Sequence, residues 1–428
     1  MGVRNLLIAL LVLYFGFACA FIAVTPYRTA GCLPVVGMQP DIGAPDERQH
    51  TNYIRHIAQT GGLPVFAAAS PDFYETYQSH QPPLYYLVAT PIELITGPND
   101  RAEKWGLRLV NVLFGALVVL GTFTGIRRFT GNEVVALFSA AFVGLMPMFL
   151  ALSAAVTNDV LLFLIGTALM NLIGRAWERG WHLSECLVCG AVVGLGLLTK
   201  TTSLLFLPVA ALGMFAIRDR RPRIGGVISA VALALLISLP WLIRNQNLYG
   251  DPLAIGAFRE ASVGNLPYDV AVERLGGPLA YWFSFVAVCA LQGIWGVFGY
   301  FDIAFPSAVY WTLAAFGAVA LVGYFLRLRV STGPERKFHW LALTMIFFVV
   351  LGFIAYNRSY FQVQGRYLYP GIFALASVAG FGLFGLAAGK ETVFRKLASV
   401  WIAVLLMLDI YAVAWLLPVT FSVMEACK

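Results

Sequence analysis

Two short polar stretches near the N-terminus contain the residue types that carry acid–base and phosphate chemistry. The first reads Pro45-Asp46-Glu47-Arg48-Gln49-His50, and the second reads His80-Gln81-Pro82-Pro83-Leu84-Tyr85-Tyr86. A positioned carboxylate can accept the proton of a hydroxyl group that attacks a substrate. Both stretches follow a long apolar run, so they predict chemistry just outside a membrane, where an enzyme acting on a lipid-borne substrate would hold its site.

Further charged residues stand at the ends of apolar runs later in the chain. Asp159 closes the triplet Thr157-Asn158-Asp159, and Lys200 lies in a short turn between two runs. Arg244 ends one apolar run, and Arg366 begins another. Two arginines and a lysine beside several carboxylates indicate an anion-binding pocket with a base, because guanidinium and ammonium groups bind phosphate well.

Each of these residues also has a purely structural interpretation. Asp46 would cap a helix over about 48–61, with Glu47 paired to a neighbouring arginine. Asp159 would cap the helix that it begins, and Lys200 would extend to the membrane interface. We favour the functional interpretation for Asp46 and Lys200, and both interpretations stay open for Asp159.

The composition identifies the class of protein. Hydrophobic residues make up 59% of the 428 residues and charged residues only 12%, about half the usual share of charged residues in soluble domains. Apolar runs of roughly 17–25 residues, long enough to cross a hydrocarbon core, recur along the chain. The sequence therefore predicts an all-α polytopic membrane protein. The net charge of +7 does not indicate nucleic acid, because basic residues at cytoplasmic helix ends give the same surplus.

We predict about 11 transmembrane helices, with a range of 11–13, from the length of the apolar runs. Segment 83–97 is apolar but short, so we interpret it as an interfacial helix, and segment 279–298 is ambiguous in the same way. The predicted spans are 5–24, 105–126, 134–150, 158–176, 186–199, 202–217, 223–243, 304–326, 339–356, 366–388 and 396–417.

The charge distribution predicts the orientation of these spans. Placing the N-terminus inside puts most of the basic residues in short inner loops and most of the acidic residues in long outer segments, as the positive-inside rule requires. A crossing by 83–97 alone would reverse every later basic cluster. We therefore predict a single membrane module over 1–428, with a first outer segment at 25–104 and a second at 244–303.

Polar and aromatic residues of the predicted outer segments are candidates for substrate contacts. Trp295 lies in an aromatic, glycine-rich stretch over 292–300, which is either a wall for a sugar or lipid or an interfacial belt that packs on other helices. The candidates are His50, His80, Gln81, Tyr85, Trp295 and Tyr367.

Taken in order along the chain, these motifs resemble those of the GT-C superfamily of polyprenyl-phosphate-sugar glycosyltransferases. The bacterial family-39-like and lipid A aminoarabinose-type transferases are the most similar groups. The resemblance covers most of the chain, and the order of the motifs makes it specific. The motifs are Pro45-Asp46-Glu47, Gln81-Pro82-Pro83-Leu84-Tyr85-Tyr86, Thr157-Asn158-Asp159, Leu198-Thr199-Lys200, Arg244-Asn245 with Leu248-Tyr249-Gly250-Asp251-Pro252, Trp295-Gly296-Val297-Phe298-Gly299 and Gln364-Gly365-Arg366-Tyr367.

The resemblance implies a GT-C-type helical bundle in the bacterial inner membrane, with a cytoplasmic N-terminus and a periplasmic active site. It implies inverting transfer of a sugar from a polyprenyl-phosphate donor to a hydroxyl group of a lipid, a glycan or a protein such as pilin. Asp46 would be the base, Glu47 would support it, and Asp159 would be a second acidic group. The donor phosphate would contact Lys200 together with the two arginines, Arg244 and Arg366.

One departure from the family pattern concerns the second motif. The aminoarabinose transferases have Lys-Pro where this chain has Gln81-Pro82, preceded by His80, so one cation on the donor phosphate is missing. No cofactor is obligatory in this scheme, and the residue pattern does not indicate a divalent cation. The alternatives are a secondary transporter, for which Asp409 inside the last predicted span would suit, and a lipid-glycan flippase or ligase.

Overall fold

A computed structural model describes residues 2–34, 37–97, 99–217, 220–262, 266–359 and 361–426. Nearly all of the regular structure is helical. Two short antiparallel hairpins pair β1 (Gly31–Leu33) with β2 (Gly37–Gln39), and β3 (Val297–Phe298) with β4 (Ile303–Ala304). The predicted fold class, an all-α membrane protein, is confirmed.

Eight helices in the described part of the chain are long and apolar enough to cross a membrane. About 20 residues of helix span a hydrocarbon core, so the chain is an integral multi-pass membrane protein. The bounds are Val3–Val24 (α1), Asp100–Thr130 (α5), Asp159–Arg179 (α8), Ile224–Tyr249 (α11), Ser307–Val330 (α15), Gly333–Asn357 (α16), Gly365–Leu386, which contains α17 (Ile372–Leu386), and Glu391–Ala426, which contains α18 (Glu391–Tyr411) and α19 (Leu417–Ala426).

The predicted count of eleven spans is not confirmed, in the first place because span 134–150 is broken. It forms α6 (Glu133–Gly144) and α7 (Pro147–Ser153), whose axes meet at 62°. Pro147 has no amide hydrogen to continue the bonding of α6 and suits the first turn of a new helix. The break turns the chain toward Thr157 and the start of α8.

Two further predicted spans, 186–199 and 202–217, are helical but shorter than a full crossing. At about 1.5 Å per residue, helices of these lengths fall short of a core of about 30 Å. The turn between them holds Lys200. Their bounds are Leu183–Leu197 (α9), Thr201–Leu205 (a 3-10 turn) and Phe206–Phe215 (α10).

Small residues let neighbouring helices approach closely. A Cβ atom on Gly190 would lie 2.2 Å from the carbonyl oxygen of Ala230, so α9 packs directly on the backbone of α11. In the same way, a Cβ on Gly323 of α15 would lie 2.1 Å from the carbonyl oxygen of Gly382 in α17. Close approach at small residues is the usual way in which membrane helices associate.

The segment between α1 and α5 contains two helices that pack on each other. Helix α2 (Glu47–Thr60) ends at Gly61, whose φ of 70° is left-handed, and α4 (Leu84–Thr96) has 13 residues. The rings of Tyr53 and Tyr86 stack between them, with centroids 3.7 Å apart. Because α4 is only about 20 Å long, it is too short to cross the membrane unaided. Between α2 and α4 lie α3 (Phe73–Thr76) and a 3-10 turn (Tyr77–His80).

The segment after α11 is also helical. Two short helices come first, and a π turn then leads into α14, which ends in the β3–β4 hairpin. Gly296, at the end of α14, has a φ of 155°, a conformation that a side chain would strain. The bounds are Ile255–Ala261 (α12), Tyr268–Arg274 (α13), Ala280–Val286 (the π turn) and Ala287–Trp295 (α14).

Candidate active site

One large cavity, of about 800 Å³, brings together polar residues that are far apart in the sequence. Its wall is built by the start of α2, the 3-10 turn before α4, the start of α8, the turn after α9, and the stretch before α17. Most of the predicted site residues line it. They are Asp46, His50, His80, Gln81, Asp159, Lys200, Arg366 and Tyr367.

Asp46 precedes α2 in a conformation that aims its carboxylate into the cavity. Its φ of 62° is left-handed, which is unusual for a residue other than glycine. The side chain makes no capping hydrogen bond to α2, so the structural interpretation of Asp46 as a helix cap is wrong. Instead, the hydroxyl group of Tyr77 donates a hydrogen bond to Oδ1, and Oδ2 lies 4.0 Å from Nη2 of Arg366.

Asp159 and Lys200 form an ion pair on another wall of the cavity. The Nζ atom of Lys200 lies 2.5 Å from Oδ1 of Asp159. Asp159 is the first residue of α8, and Lys200 is an extended residue between α9 and the following turn. The lysine side chain therefore points toward a carboxylate inside the protein and not toward the membrane interface.

Arg366 occupies a buried 3-10 turn (Gly365–Gly371) that precedes α17. A Cβ on Gly365 would lie 2.1 Å from the carbonyl oxygen of Ala290, so only glycine allows this turn to pack on α14. The guanidinium group lies over the ring of Tyr367 at 5.6 Å. Its Nε atom is buried and has no hydrogen-bond partner in the part of the chain that the structure describes, although such donors are normally satisfied.

The two histidines of the cavity are held in their neutral form. Burial lowers the pKa of both His50 and His80 to about 4. Nδ1 of His80 donates to the carbonyl oxygen of Tyr77 at 2.7 Å, which leaves Nε2 to accept from the amide of Gln81 at 3.2 Å. Nδ1 of His50 is hydrogen-bonded to the hydroxyl group of Tyr86 at 2.8 Å.

Gln81 connects two parts of the site. Its Oε1 atom accepts a hydrogen bond of 3.3 Å from Nδ2 of Asn158, which also donates to the carbonyl oxygen of Thr199 at 3.2 Å. The amide therefore joins the turn before α4 to the residues next to Asp159 and Lys200. This is the position where the resembling transferases have a lysine, and here it carries neutral hydrogen bonds.

Glu47 and Tyr85, both predicted to belong to the site, do not line the cavity. Glu47 is 1% exposed and accepts hydrogen bonds from Arg108 at 2.8 and 2.6 Å. Arg108 is more distant in sequence than the neighbouring arginine predicted as the partner of Glu47. The hydroxyl group of Tyr85 accepts from Nδ2 of Asn111 at 3.3 Å in the interior. Both residues turn inward because α2 and α4 bury one face.

Arg244 and Trp295 are also outside the cavity. Arg244 donates to the carbonyl oxygen of Pro64 at 2.6 Å, and its guanidinium group lies 4.9 Å from the ring of Trp241. Trp295 stacks on Trp401 with centroids 5.8 Å apart, which agrees with the packing interpretation of its aromatic stretch. Arg244 therefore anchors the first segment to the end of α11.

The sequence motifs did not single out several residues that the cavity contains. Tyr77, Tyr300 and Tyr356 line it, but a lone tyrosine in a polar segment gives no signal of its own. Arg108, which does not line the cavity, is different. An arginine inside an apolar run that crosses a membrane is itself a signal of a buried partner. That signal was available in the sequence.

Two other features of the described residues bear on the alternatives. Among these residues, there is no group of three or more His, Cys, Asp or Glu side chains that could hold a metal ion. Asp409 is fully buried in α18, and neither carboxylate oxygen has a hydrogen-bond partner among the described groups. Asp409 is not part of the cavity wall.

Sequence comparisons match parts of the chain to known transferases. Residues 80–243 match the family described as dolichyl-phosphate-mannose-protein mannosyltransferase. Over 174 residues, the chain is 31% identical to the lipid A galacturonosyltransferase RgtD of Rhizobium johnstonii. The matched region covers 40% of this chain and 36% of that protein. The chain therefore matches little more than a third of the length of this curated relative.

Solved structures share the fold over nearly the whole chain. ArnT from Cupriavidus metallidurans, bound to undecaprenyl phosphate, superposes with a TM-score of 0.54 at 16% identity, covering 97% of this chain and 74% of that one. The oligosaccharyltransferase AglB from Archaeoglobus fulgidus, with an inhibitory peptide and a dolichol-phosphate, gives 0.56 at 13% identity, covering 98% and 55%. At identities this low, the two structures show that the chain shares their fold, and the sequence matches cover no more than 40% of it.

Proposed function

We propose that the chain is an inverting glycosyltransferase that moves a sugar from a polyprenyl-phosphate donor to an acceptor hydroxyl group. One relationship in the cavity carries the proposal: Oδ2 of Asp46 lies 4.0 Å from Nη2 of Arg366. This places a candidate proton acceptor and a candidate phosphate-binding cation in one cavity. Inverting transfer needs such groups roughly 6.5–9.5 Å apart on the two faces of the anomeric carbon, so the two side chains must separate when the donor sugar enters between them. The reaction needs both, because the acceptor loses a proton as the lipid phosphate leaves.

Arg366 is the first candidate to hold the donor phosphate. Its buried Nε atom has no partner among the described residues, and such a donor costs about 1–3 kcal/mol when it stays unsatisfied. A phosphate oxygen in the cavity would satisfy it with a charge-assisted bond. The same contact would stabilise the negative charge that accumulates on the phosphate as the glycosidic bond breaks, and this lowers the barrier to transfer.

Lys200 is the second candidate for the phosphate. The ion pair with Asp159 fixes its ammonium group at the cavity wall and offsets the cost of burying both charges. An ammonium group has three hydrogens, so it can bind the carboxylate and a phosphate oxygen at the same time. Asp159 then acts on the phosphate through Lys200, and Asp46 alone is left to serve as the base.

Asp46 has the surroundings that a general base requires. Its side chain is about one-third exposed to the cavity, and the hydrogen bond from Tyr77 holds one oxygen in place. The other oxygen can take the acceptor proton. A hydroxyl group activated in this way attacks the anomeric carbon from the side opposite the phosphate, so the configuration of that carbon inverts.

The comparisons support a lipid-linked donor. ArnT was solved with undecaprenyl phosphate and AglB with a dolichol-phosphate, and the fold of this chain is similar to both. The named relatives act on lipid A or on proteins, so the acceptor is a lipid, a glycan or a protein of the cell envelope. His50, His80, Gln81 and Tyr367 line the cavity and are the candidates for contacts with the sugar.

Two observations support a location of the site on the outer, periplasmic face of the inner membrane. The basic residues of the short loops favour a cytoplasmic N-terminus, and this puts the cavity-lining segments outside. In addition, Cys32, in the segment after α1, is disulfide-bonded. Disulfides persist in the periplasm and are rare in the cytoplasm.

The test is transfer of a sugar from a synthetic undecaprenyl-phosphate donor to total envelope lipid and protein in proteoliposomes. Asp46→Asn keeps the shape of the side chain but removes the base, so we expect turnover to fall by about 100-fold or more while undecaprenyl phosphate still binds. Asp72→Asn is the matched control, because Asp72 is exposed and outside the cavity. Substantial turnover by Asp46→Asn would refute the assignment of the base.

The same experiment separates the proposal from the transport alternative. A flippase or transporter would move the lipid or a solute across the proteoliposome membrane without forming a new glycosidic bond. Asp409, which is buried and has no partner in the described part of the chain, is the residue on which such an activity would depend. Loss of flux in Asp409→Asn, with no sugar transfer by the wild-type protein, would favour transport over transfer.

A further inference from the structure

Charges on the cavity wall cancel one another. Among the described residues that line it, two carboxylates, Asp46 and Asp159, face two cations, Lys200 and Arg366. The two histidines are buried and hold no proton near neutral pH. Residues 263–265 and 360, which the structure leaves undescribed near this part of the sequence, are Val, Gly, Asn and Tyr and have no charge to add.

These four charged groups already pair with one another before a sugar enters the cavity. A polyprenyl phosphodiester brings one further negative charge, so the occupied cavity has an excess of one negative charge among the described residues. Lys200 is bound to Asp159 at 2.5 Å, so its charge is largely balanced within the protein. Arg244, the third basic residue of the sequence motifs, donates to the carbonyl oxygen of Pro64 and does not line the cavity.

An acidic sugar would therefore lack a partner among the described residues of the cavity wall. The carboxylate of a uronic acid would be a second negative charge without a free cation, and the desolvation of an unpaired charge is costly. The ammonium group of an amino sugar, by contrast, would balance the excess negative charge that the phosphate brings.

The rest of the wall suits hydroxyl groups and apolar sugar faces. The rings of Phe258, Tyr356 and Tyr367 line the cavity, and aromatic faces pack on the C–H surface of a pyranose. The amide of Gln78 also lines it, and its buried Oε1 atom has no hydrogen-bond partner in the described structure. A sugar hydroxyl group is a donor that would satisfy this oxygen without adding charge.

From this balance of charge we infer that the donor sugar carries no carboxylate and is not a uronic acid. The inference rests on the proposed function, because it assumes that a polyprenyl phosphate occupies the cavity. It separates this chain from the relative that is named for galacturonic acid, which matches only 40% of it.

The experiment compares four ligands on the purified full-length chain in nanodiscs: undecaprenyl phosphate alone, and the same lipid carrying glucose, galacturonate or aminoarabinose. Dissociation constants are measured at pH 7 by competition against labelled undecaprenyl phosphate. We expect the glucosyl and aminoarabinosyl lipids to bind at least about 10-fold more tightly than the galacturonosyl lipid, the loss typical of one buried charge without a partner. Equal or tighter binding of the galacturonosyl lipid would overturn the inference.

A variant that adds a cation to the cavity wall tests whether the missing positive charge causes the weak binding of the galacturonosyl lipid. Gln78→Lys puts an ammonium group on the wall next to the sugar, and it should bring the galacturonosyl lipid to within about 2-fold of the glucosyl lipid. A variant that still prefers the glucosyl lipid by 10-fold would contradict the inference that missing charge sets the preference. If none of the four lipids binds, the proposed function fails instead, so the two failures are distinct.

Discussion

Glu47 and Arg108 form a two-point ion pair in the interior, with Nε of Arg108 2.8 Å from Oε1 of Glu47 and Nη2 2.6 Å from Oε2. Oε1 also accepts a hydrogen bond of 2.8 Å from the amide of Val156. The guanidinium group donates further to the carbonyl oxygens of Thr25 and Pro26 at 3.0 and 2.8 Å. The pair therefore holds the end of α1, the start of α2 and the approach to α8 against α5, and it fixes Asp46 relative to Asp159.

Removing either charge of this pair should destabilise the fold. In Glu47→Gln the guanidinium group of Arg108 stays buried without its counter-ion, so we expect the free energy of unfolding to fall by about 3–5 kcal/mol. The fall is measured by chemical denaturation in detergent. The double variant Glu47→Gln/Arg108→Met should regain part of the loss. A Glu47→Gln protein that is as stable as the wild type but inactive would show that Glu47 belongs to the chemistry.

Tyr77→Phe should lower turnover by acting through Asp46. Burial and the neighbouring carboxylate raise the pKa of Tyr77 well above its usual value, so the hydroxyl group stays a donor. Its loss frees the carboxylate to rotate, and we expect kcat to fall by about 10-fold with KM for the donor nearly unchanged. In the background of Asp46→Asn, Tyr77→Phe should have no further effect on kcat. Additive losses would contradict a positioning role.

The buried histidines predict a loss of stability in mild acid. His50 and His80 have a pKa of about 4 in the folded protein and about 6.5 when unfolded. Between these values the unfolded chain binds more protons, so the free energy of unfolding falls as the pH drops from 6.5 to 4. The difference of 2.5 pKa values corresponds to about 3 kcal/mol for each histidine.

The measurement is the difference between the wild type and His80→Gln in thermal unfolding across pH 4–7. Asp41 acts in the opposite direction, because burial raises the pKa of its carboxyl group to about 6, and stability from this group grows as the pH falls. The difference cancels Asp41, which both proteins share. We expect a smaller loss in acid for His80→Gln, and parallel curves would contradict the assignment of a buried neutral histidine.

The sequence was sufficient for features that depend on local pattern. Each of the eight membrane-spanning helices in the described part of the chain coincides with a predicted apolar run. The other three predicted spans are broken, at Pro147, or too short, and run length does not report these details. The sequence did not predict that Lys200 and Asp159 form an ion pair. It did indicate both as candidate site residues, because they stand at the ends of apolar runs. Charged groups there are the ones that a bundle can bring to a shared cavity.

The direction of each side chain could not be predicted from the sequence. Asp46 and Glu47 are adjacent, yet one faces the cavity and the other faces Arg108, because the left-handed turn at Asp46 precedes the first residue of α2. Tertiary contacts more than 60 residues away select that turn. The partner of Arg244 could not be predicted for the same reason, since it is the backbone of Pro64, at a sequence distance that no motif spans.

Arg366 and Arg244 offer a direct comparison of a cation inside the cavity with one outside it. Arg366→Lys keeps the charge but loses the planar guanidinium group, which can donate two parallel hydrogen bonds to a phosphate, so we expect the dissociation constant for undecaprenyl phosphate to rise by about 10-fold. In Arg366→Met, which also loses the charge, we expect it to rise by about 100-fold. Arg244→Met removes a cation that binds the carbonyl oxygen of Pro64, so it should lower the melting temperature while changing this affinity by less than about 2-fold. Binding is measured by competition in nanodiscs at fixed salt. An equal loss of affinity in Arg244→Met would place Arg244 on the phosphate, as its sequence motif suggested, and would require the end of α11 to move toward the cavity when the lipid binds.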